Sequence, residues 1–297
     1  MKKLALLPVL LALAACRQTP THVHIDPALA TIVPPDTKIL MGARLDKLRE
    51  TEIYRKYFAT AKFAPLDEFE KRTGLNARKD LWELLVASNG KDAVILGRGR
   101  FSEGELEPRL QAEGAERFSY RGRNLYGNQQ AAVTFLNMST WIVGPTAAVK
   151  RLLDEQNSGK LGIPSDMKGL VESIPYQSQF WAVYGGGGVD LGFSQGSALG
   201  NANRMIRSIQ TGTFSANLNG GIDMKAAGTC DTDQNAKQVH DALKAIAGIG
   251  RLSTPADQPD LLKVWDAIIV VQDQQSVRVQ AMIPMALIDK FVPLLTR

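Results

Sequence analysis

Residues 213–227 read Thr213-Phe214-Ser215-Ala216-Asn217-Leu218-Asn219-Gly220-Gly221-Ile222-Asp223-Met224-Lys225-Ala226-Ala227, and their pattern decides the fold. Phe214, Ala216 and Leu218 alternate with polar residues, and so do Ile222, Met224 and Ala226. Alternation at period two marks a strand with one apolar face. Asn219-Gly220 between two such runs predicts a hairpin with φ > 0 at Gly220, a dihedral that glycine reaches without strain. The apolar row, Phe214 included, is expected to lie buried against a helix. The row of Ser215, Asn217, Asp223 and Lys225 is expected to meet water.

The covering helix follows directly, over residues 233–249. Ala236, Val239, Leu243 and Ile246 form one apolar stripe at helical period. The same strand–strand–helix unit occurs at 131–136, 140–143 and 146–155, and again at 267–271, 276–283 and 284–295. In the last helix Met285, Ile288, Val292 and Leu295 repeat the stripe at the same offsets. A helix with one apolar side after each hairpin can cover the apolar side of a sheet. The expected class is α+β: antiparallel sheets backed by helices on one face, built from repeated strand-strand-helix units in two similar halves. Glycines and prolines across 156–179 place the seam there, giving halves 36–175 and 176–297. Either two sheets or one continuous sheet satisfies this pattern.

Earlier in the chain, a strand is expected at 38–45 and a helix at 46–57 with Asp46 as its cap. A short helix over 65–73 would close at Gly74. A helix capped by Asn76 and carrying Leu81, Trp82, Leu84 and Leu85 would end at Asn89-Gly90. A strand at 93–96, a helix at 105–112 and strands at 116–120 and 123–126 follow.

The N-terminus carries the sharpest functional signal. Lys2 and Lys3 precede a twelve-residue apolar run, Leu4 to Ala15, broken only by Pro8. A spanning helix needs about 20 apolar residues, so this run is too short, and the layout is that of a secretory signal. Leu13-Ala14-Ala15-Cys16 resembles the lipobox of bacterial lipoproteins. That resemblance implies cleavage between Ala15 and Cys16 and a diacylglyceryl group on the Cys16 thiol, with residues 1–15 removed. Two or more acyl chains anchor firmly where one binds marginally. Arg17, not Asp, would stand second in the mature chain, which by the same resemblance favours the outer membrane over the inner. Residues 16–35, with Pro20, Pro27, Pro34 and Pro35, are expected to be a lipidated tether.

Without residues 1–15 the chain keeps 282 residues, and Lys+Arg falls from 35 to 33 against 30 acids. A formal charge of +3 with mixed signs gives no electrostatic case for nucleic acid. The chain has two cysteines. With Cys16 acylated, Cys230 has no disulfide partner and is expected to be a small buried hydrophobe.

Other chemical signals are sparse. Gly192-Phe193-Ser194-Gln195-Gly196 fits the G-x-S-x-G nucleophile elbow and makes a serine hydrolase using Ser194 the alternative reading. About nine residues separate it from the expected strand 179–184, and the downstream histidine is His240, on a helix. His22 and His24 alone are too few for a metal site. No dinucleotide or phosphate-loop motif is present, so no cofactor, metal or catalytic residue is expected. Trp82, Trp141, Trp181 and Trp265 are expected in the core.

Pro35-Asp36-Thr37, Thr73-Gly74-Leu75-Asn76 and Asp80-Leu81-Trp82-Glu83-Leu84-Leu85 resemble uncharacterised bacterial envelope families of unknown function. The resemblance covers about the first third of the chain and implies no catalytic residues. The sequence therefore points to a lipid-anchored cell-envelope protein with a non-enzymatic binding or structural role. It would meet the membrane through Cys16, and could meet an envelope protein partner or hold a small ligand between its halves.

Overall fold

A computed structural model describes residues 22–59, 67, 70, 76–156, 158–186 and 208–295. The described strands form one antiparallel sheet of twelve, so the two halves share a continuous sheet. The first half supplies β1 (Ile39–Arg44), β2 (Leu81–Ser88), β3 (Ala93–Gly99), β4 (Glu116–Tyr120), β5 (Arg123–Gly127), β6 (Ala131–Asn137) and β7 (Thr140–Pro145). The second supplies β8 (Phe180–Tyr184), β9 (Ile209–Asn217), β10 (Gly221–Cys230), β11 (Ile268–Asp273) and β12 (Ser276–Pro284). Their spatial order is β11-β12-β10-β9-β8-β1-β2-β3-β7-β6-β5-β4. Outward from the centre the halves therefore match: β1-β2-β3-β7-β6 on one side, β8-β9-β10-β12-β11 on the other. The hairpin β4–β5 is an addition to the first half.

The halves meet where β1 pairs with β8. Gly42 stands opposite Trp181, and the indole lies so close over the glycine that an added Cβ would fall 2.2 Å from the ring. The pair recurs between β3 and β7, where Gly97 faces Trp141 at the same 2.2 Å. In both places glycine is needed for space.

The helices are α1 (Pro27–Ala30), α2 (Leu45–Arg49), α3 (Ala77–Asp80), α4 (Glu103–Ala112), α5 (Thr146–Glu155), α6 (Ser165–Glu172), α7 (Asp233–Leu252), α8 (Pro259–Asp266) and α9 (Met285–Leu295). A single turn of π-helix spans Tyr54–Phe58. Helices cover both faces of the sheet, not the single face expected. Adjacent strand residues show this, because their side chains point to opposite faces. Ile142 packs with Leu85, Leu96, Val149 and Leu152, the last two on α5. Its neighbour Trp141 packs with Phe101 and with Leu106 of α4. On that second face α7 covers the second half through Ala236 and Val239, against Val270 and Val277. Each fully buried aliphatic side chain contributes about 1.5–3 kcal/mol.

The expected tether is corrected over its described part. Val23, Ile25, Leu29, Ile32 and Val33 are buried in the main core. Asp26 caps α1 by accepting from the Ala28 N–H at 2.8 Å. A segment with an apolar residue at nearly every second or third position has surface to bury, and its prolines do not keep it free.

Residues 81–88 are also corrected. They form β2, not a helix; α3 ends at Asp80. Leu81, Glu83, Leu85 and Ala87 are buried, while Trp82 is exposed and Leu84 and Val86 are half-buried. Asn89-Gly90 closes the β2–β3 hairpin, with Gly90 at φ +90°. The seam holds a helix, α6, whose Met167 and Val171 enter the core.

The decisive hairpin is as expected. Met224 faces Ala216, Ala226 faces Phe214, and Gly220 has φ +73°. The α7 stripe outruns the sheet: Ala236 and Val239 are buried, Leu243 is half-buried and Ile246 is exposed. Phe214 lies on the expected face but is 38% exposed, because it borders an open recess. Ser215, on the face expected to be wet, is buried.

Candidate functional site

The recess lies between the second-half sheet and α7. Its volume is about 360 Å³, at the small end of ligand pockets. Ala182 and Tyr184 come from β8, Gly212 and Phe214 from β9, Ala226 and Gly228 from β10. Val277 and Val279 extend the floor on β12, and Val239 and Leu243 of α7 form a wall. Register explains the floor. Ala182, Phe214, Ala226 and Val279 stand in one cross-strand row, and Tyr184, Gly212, Gly228 and Val277 in the next. Gly212 and Gly228 at the middle of one row, and Ala182 and Ala226 on either side of Phe214 in the other, leave the helix little to rest on there. A Cβ built on Gly212 would meet only ordinary neighbours, at 3.6 Å or more.

Chemically the recess is almost wholly hydrocarbon. None of the described residues that line it carries a charge. Cys230 lines it as the buried hydrophobe expected, and burial pushes its thiol pKa up, away from nucleophilic use. Such a surface can hold an apolar molecule by displacing water from it.

A second cleft, polar and open, lies on the other face at the ends of β1, β2 and β3. Its volume is about 780 Å³. Glu83 lines it between its register partners Arg44 and Arg98. Burial, above all, lifts the Glu83 carboxyl to about 7. The Asp26 N–H donates to Glu83 Oε2 at 3.2 Å, while Oε1 is buried without a partner among the described residues. Arg98 donates to Asp26 at 2.9 Å and to Ser139 and Thr140. Arg44 donates to the Tyr176 carbonyl at 2.6 Å and stacks on its ring. His24 lines the same cleft.

Ala15, Cys16 and Ser194 lie outside the described residues, as does the whole G-x-S-x-G stretch. His240 is half-buried, with Nδ1 2.9 Å from Asp241 Oδ1. Trp141 and Trp181 are core residues, whereas Trp82 is 39% exposed at the polar cleft. The sequence alone marks neither cleft as a site. The signal for the recess was small residues at paired positions of two alternating strands. The signal for the polar cleft was a glutamate in an apolar run, hidden by the helical reading of 81–88.

A twelve-stranded antiparallel sheet covered by helices on both faces defines an α+β protein. No protein-family model matches the chain, and no curated protein matches it. Among solved structures it is similar to TP0453, a Treponema protein. Crystal form IV gives a TM-score of 0.50 at 10% identity, over 92% of this chain and 98% of that one. Crystal form III gives 0.50 at 9% identity, with the same coverage. At this identity the likeness shows the fold alone. Among the described residues no helix is long and apolar enough to cross a membrane.

Proposed function

We propose that this chain is a lipid-anchored cell-envelope protein, held through Cys16 and favouring the outer membrane, with a non-enzymatic binding role. Its ligand is a small apolar molecule seated in the recess beneath α7. The observation that carries the ligand is the hydrocarbon lining of that recess. What supports the anchor is Leu13-Ala14-Ala15-Cys16 behind a short apolar run. Hydrolysis at Ser194 is the alternative, and it draws only on the sequence motif.

The ligand is tested on the mature chain carrying Cys16→Ser, which needs no detergent. Titration with the neutral fluorophore N-phenyl-1-naphthylamine should show saturable binding. Gly212→Val, which places a side chain in the recess, should weaken it at least about tenfold. Equal binding by both proteins would refute the assignment. For the anchor, a fatty-acid probe fed to cells should label the wild type and not Cys16→Ser; equal labelling removes the lipoprotein reading.

A further inference from the structure

We propose that the polar cleft at the ends of β1, β2 and β3 is a second binding site whose ligand is a saccharide, gripped by its hydroxyls and by the apolar face of one ring.

A break in β2 builds this site. Leu81 pairs with Gly99 and Glu83 with Arg98, so Trp82 is the extra residue of a β-bulge. A bulge re-aims a side chain and is common beside binding sites. Here Trp82 and Glu83, successive in the chain, both line the cleft. Glu83 is 9% exposed, and its Oε1 is buried with no hydrogen-bond partner among the described residues. A buried acceptor left unmet is costly, and a ligand donor that reaches it removes that cost. Trp82 is 39% exposed, and the Arg98 guanidinium lies over its ring, 5.7 Å from the centroid.

Charge decides among ligands. Arg44, Arg49 and Arg98 stand against Asp26, Asp46 and Glu83, so with Glu83 ionised the lining carries both signs in equal number. Arg98 is already paired with Asp26. Arg49 is turned to the carbonyls of Arg78 and Leu81 at 3.1 and 2.8 Å. An ammonium approaching Glu83 would meet the arginines on both neighbouring strands. A phosphate approaching Arg44 would meet ionised Glu83 beside it and Asp46 two residues along the chain. A neutral molecule with donors and acceptors on adjacent atoms meets neither penalty. Its hydroxyls can donate to Glu83 and accept from the remaining N–H groups of Arg44, which uses one nitrogen on Tyr176. With its carboxyl poised at about 7, Glu83 serves hydroxyls as acceptor and, when protonated, as donor. The C–H face of a sugar ring then covers the indole of Trp82, apolar against apolar.

This site is independent of the apolar recess, which lies on the opposite face of the sheet. The test uses the full lipidated chain in lauryldimethylamine oxide micelles, whose headgroup carries no sugar. Calorimetric titration with chitotriose, maltotriose and cellotriose should show binding of at least one trisaccharide. Trp82→Ala and Glu83→Leu should each weaken it about tenfold or more, since hot-spot residues dominate affinity. Glu83→Gln, which keeps an oxygen and donors, should restore most of it. Gly212→Val should leave it unchanged. The proposal is overturned if none of the three sugars binds, or if they bind all variants equally. It is also overturned if spermidine or inorganic phosphate, and no sugar, shows this pattern of losses. Circular dichroism of each variant confirms folding, and Trp82→Ala removes a half-open side chain that the core does not need.

Discussion

The two halves of the sheet use the same strand order but treat the space beneath their helices differently. In the first half, aromatic side chains fill the space beneath α4, although a polar recess of about 310 Å³ opens at its N-terminal end beside Glu103 and Asn124. Phe101 meets Trp141 edge-on, 87° between rings and 6.1 Å between centroids, with Leu106 and Phe135 around them. In the second half, α7 occupies the corresponding place in the chain, after the third strand of its half. Beneath it stand Gly212, Gly228, Ala182 and Ala226, and the space stays open. Topology is therefore not what makes a pocket here. The volume of a few side chains is, because helix and sheet cannot sink into the gap that small residues leave.

The largest expected effect separates two phenylalanines that sit on the same face. Phe101 is 5% exposed within the filled layer, and Phe101→Ala should cost about 3–5 kcal/mol. Phe214 is 38% exposed at the recess, and Phe214→Ala should cost less than half of that, roughly 1–2 kcal/mol. Urea unfolding of the two variants side by side checks it. Equal losses would mean that the second half is as tightly filled as the first.

The next effect concerns pH and belongs to the opposite face. The Glu83 carboxyl sits at about 7 in the folded chain, against 4.5 for an ordinary glutamate. The folded state thus holds a proton that the unfolded state has lost. Stability should fall as pH rises from about 4.5 to 7 and level off above, by at most on the order of 3 kcal/mol. Glu83→Gln should flatten that slope. Surface carboxylates act the other way and at lower pH. Arg121 holds Asp154, Lys263 holds Asp260 and Lys56 holds Asp289 below the usual carboxylate range. Their support is lost only as pH falls through those depressed values. A wild-type stability profile that is flat or rising between pH 5 and 7 would mean that Glu83 is ionised as an ordinary carboxylate.

How much of this was legible in the sequence depends on how local each signal was. The hairpin 213–227 could be read because its alternation and its Asn-Gly turn agree. Residues 81–90 carry the same turn pair, yet Leu81, Leu84 and Leu85 also fit helical spacing, and Asn89-Gly90 also fits a helix end. Pairing with β1 and β3 decides for the strand, and that pairing is not local. Val23 to Val33 looked like a tether because prolines punctuate it. The five apolar residues that bury there find their partners far along the chain. The recess was hidden for a related reason. Glycine and alanine in a strand announce small volume, but whether a neighbour fills the gap depends on the strands and helix packed around it. The polar cleft needed the bulge at Trp82, which exists only relative to β3.

The most direct measurement compares two glycines, one in each half. A Cβ on Gly97 would fall 2.2 Å from Trp141, whereas one on Gly212 would lie at ordinary contact distance or beyond from everything near it. Urea unfolding of Gly97→Val and Gly212→Val should show a loss of about 3 kcal/mol or more for the first. The second should change stability by no more than about 1 kcal/mol in either direction. That result would establish a filled layer around Trp141 and an open space beneath α7. Losses of similar size in both variants would contradict the open recess, and with it the site on which the binding role rests.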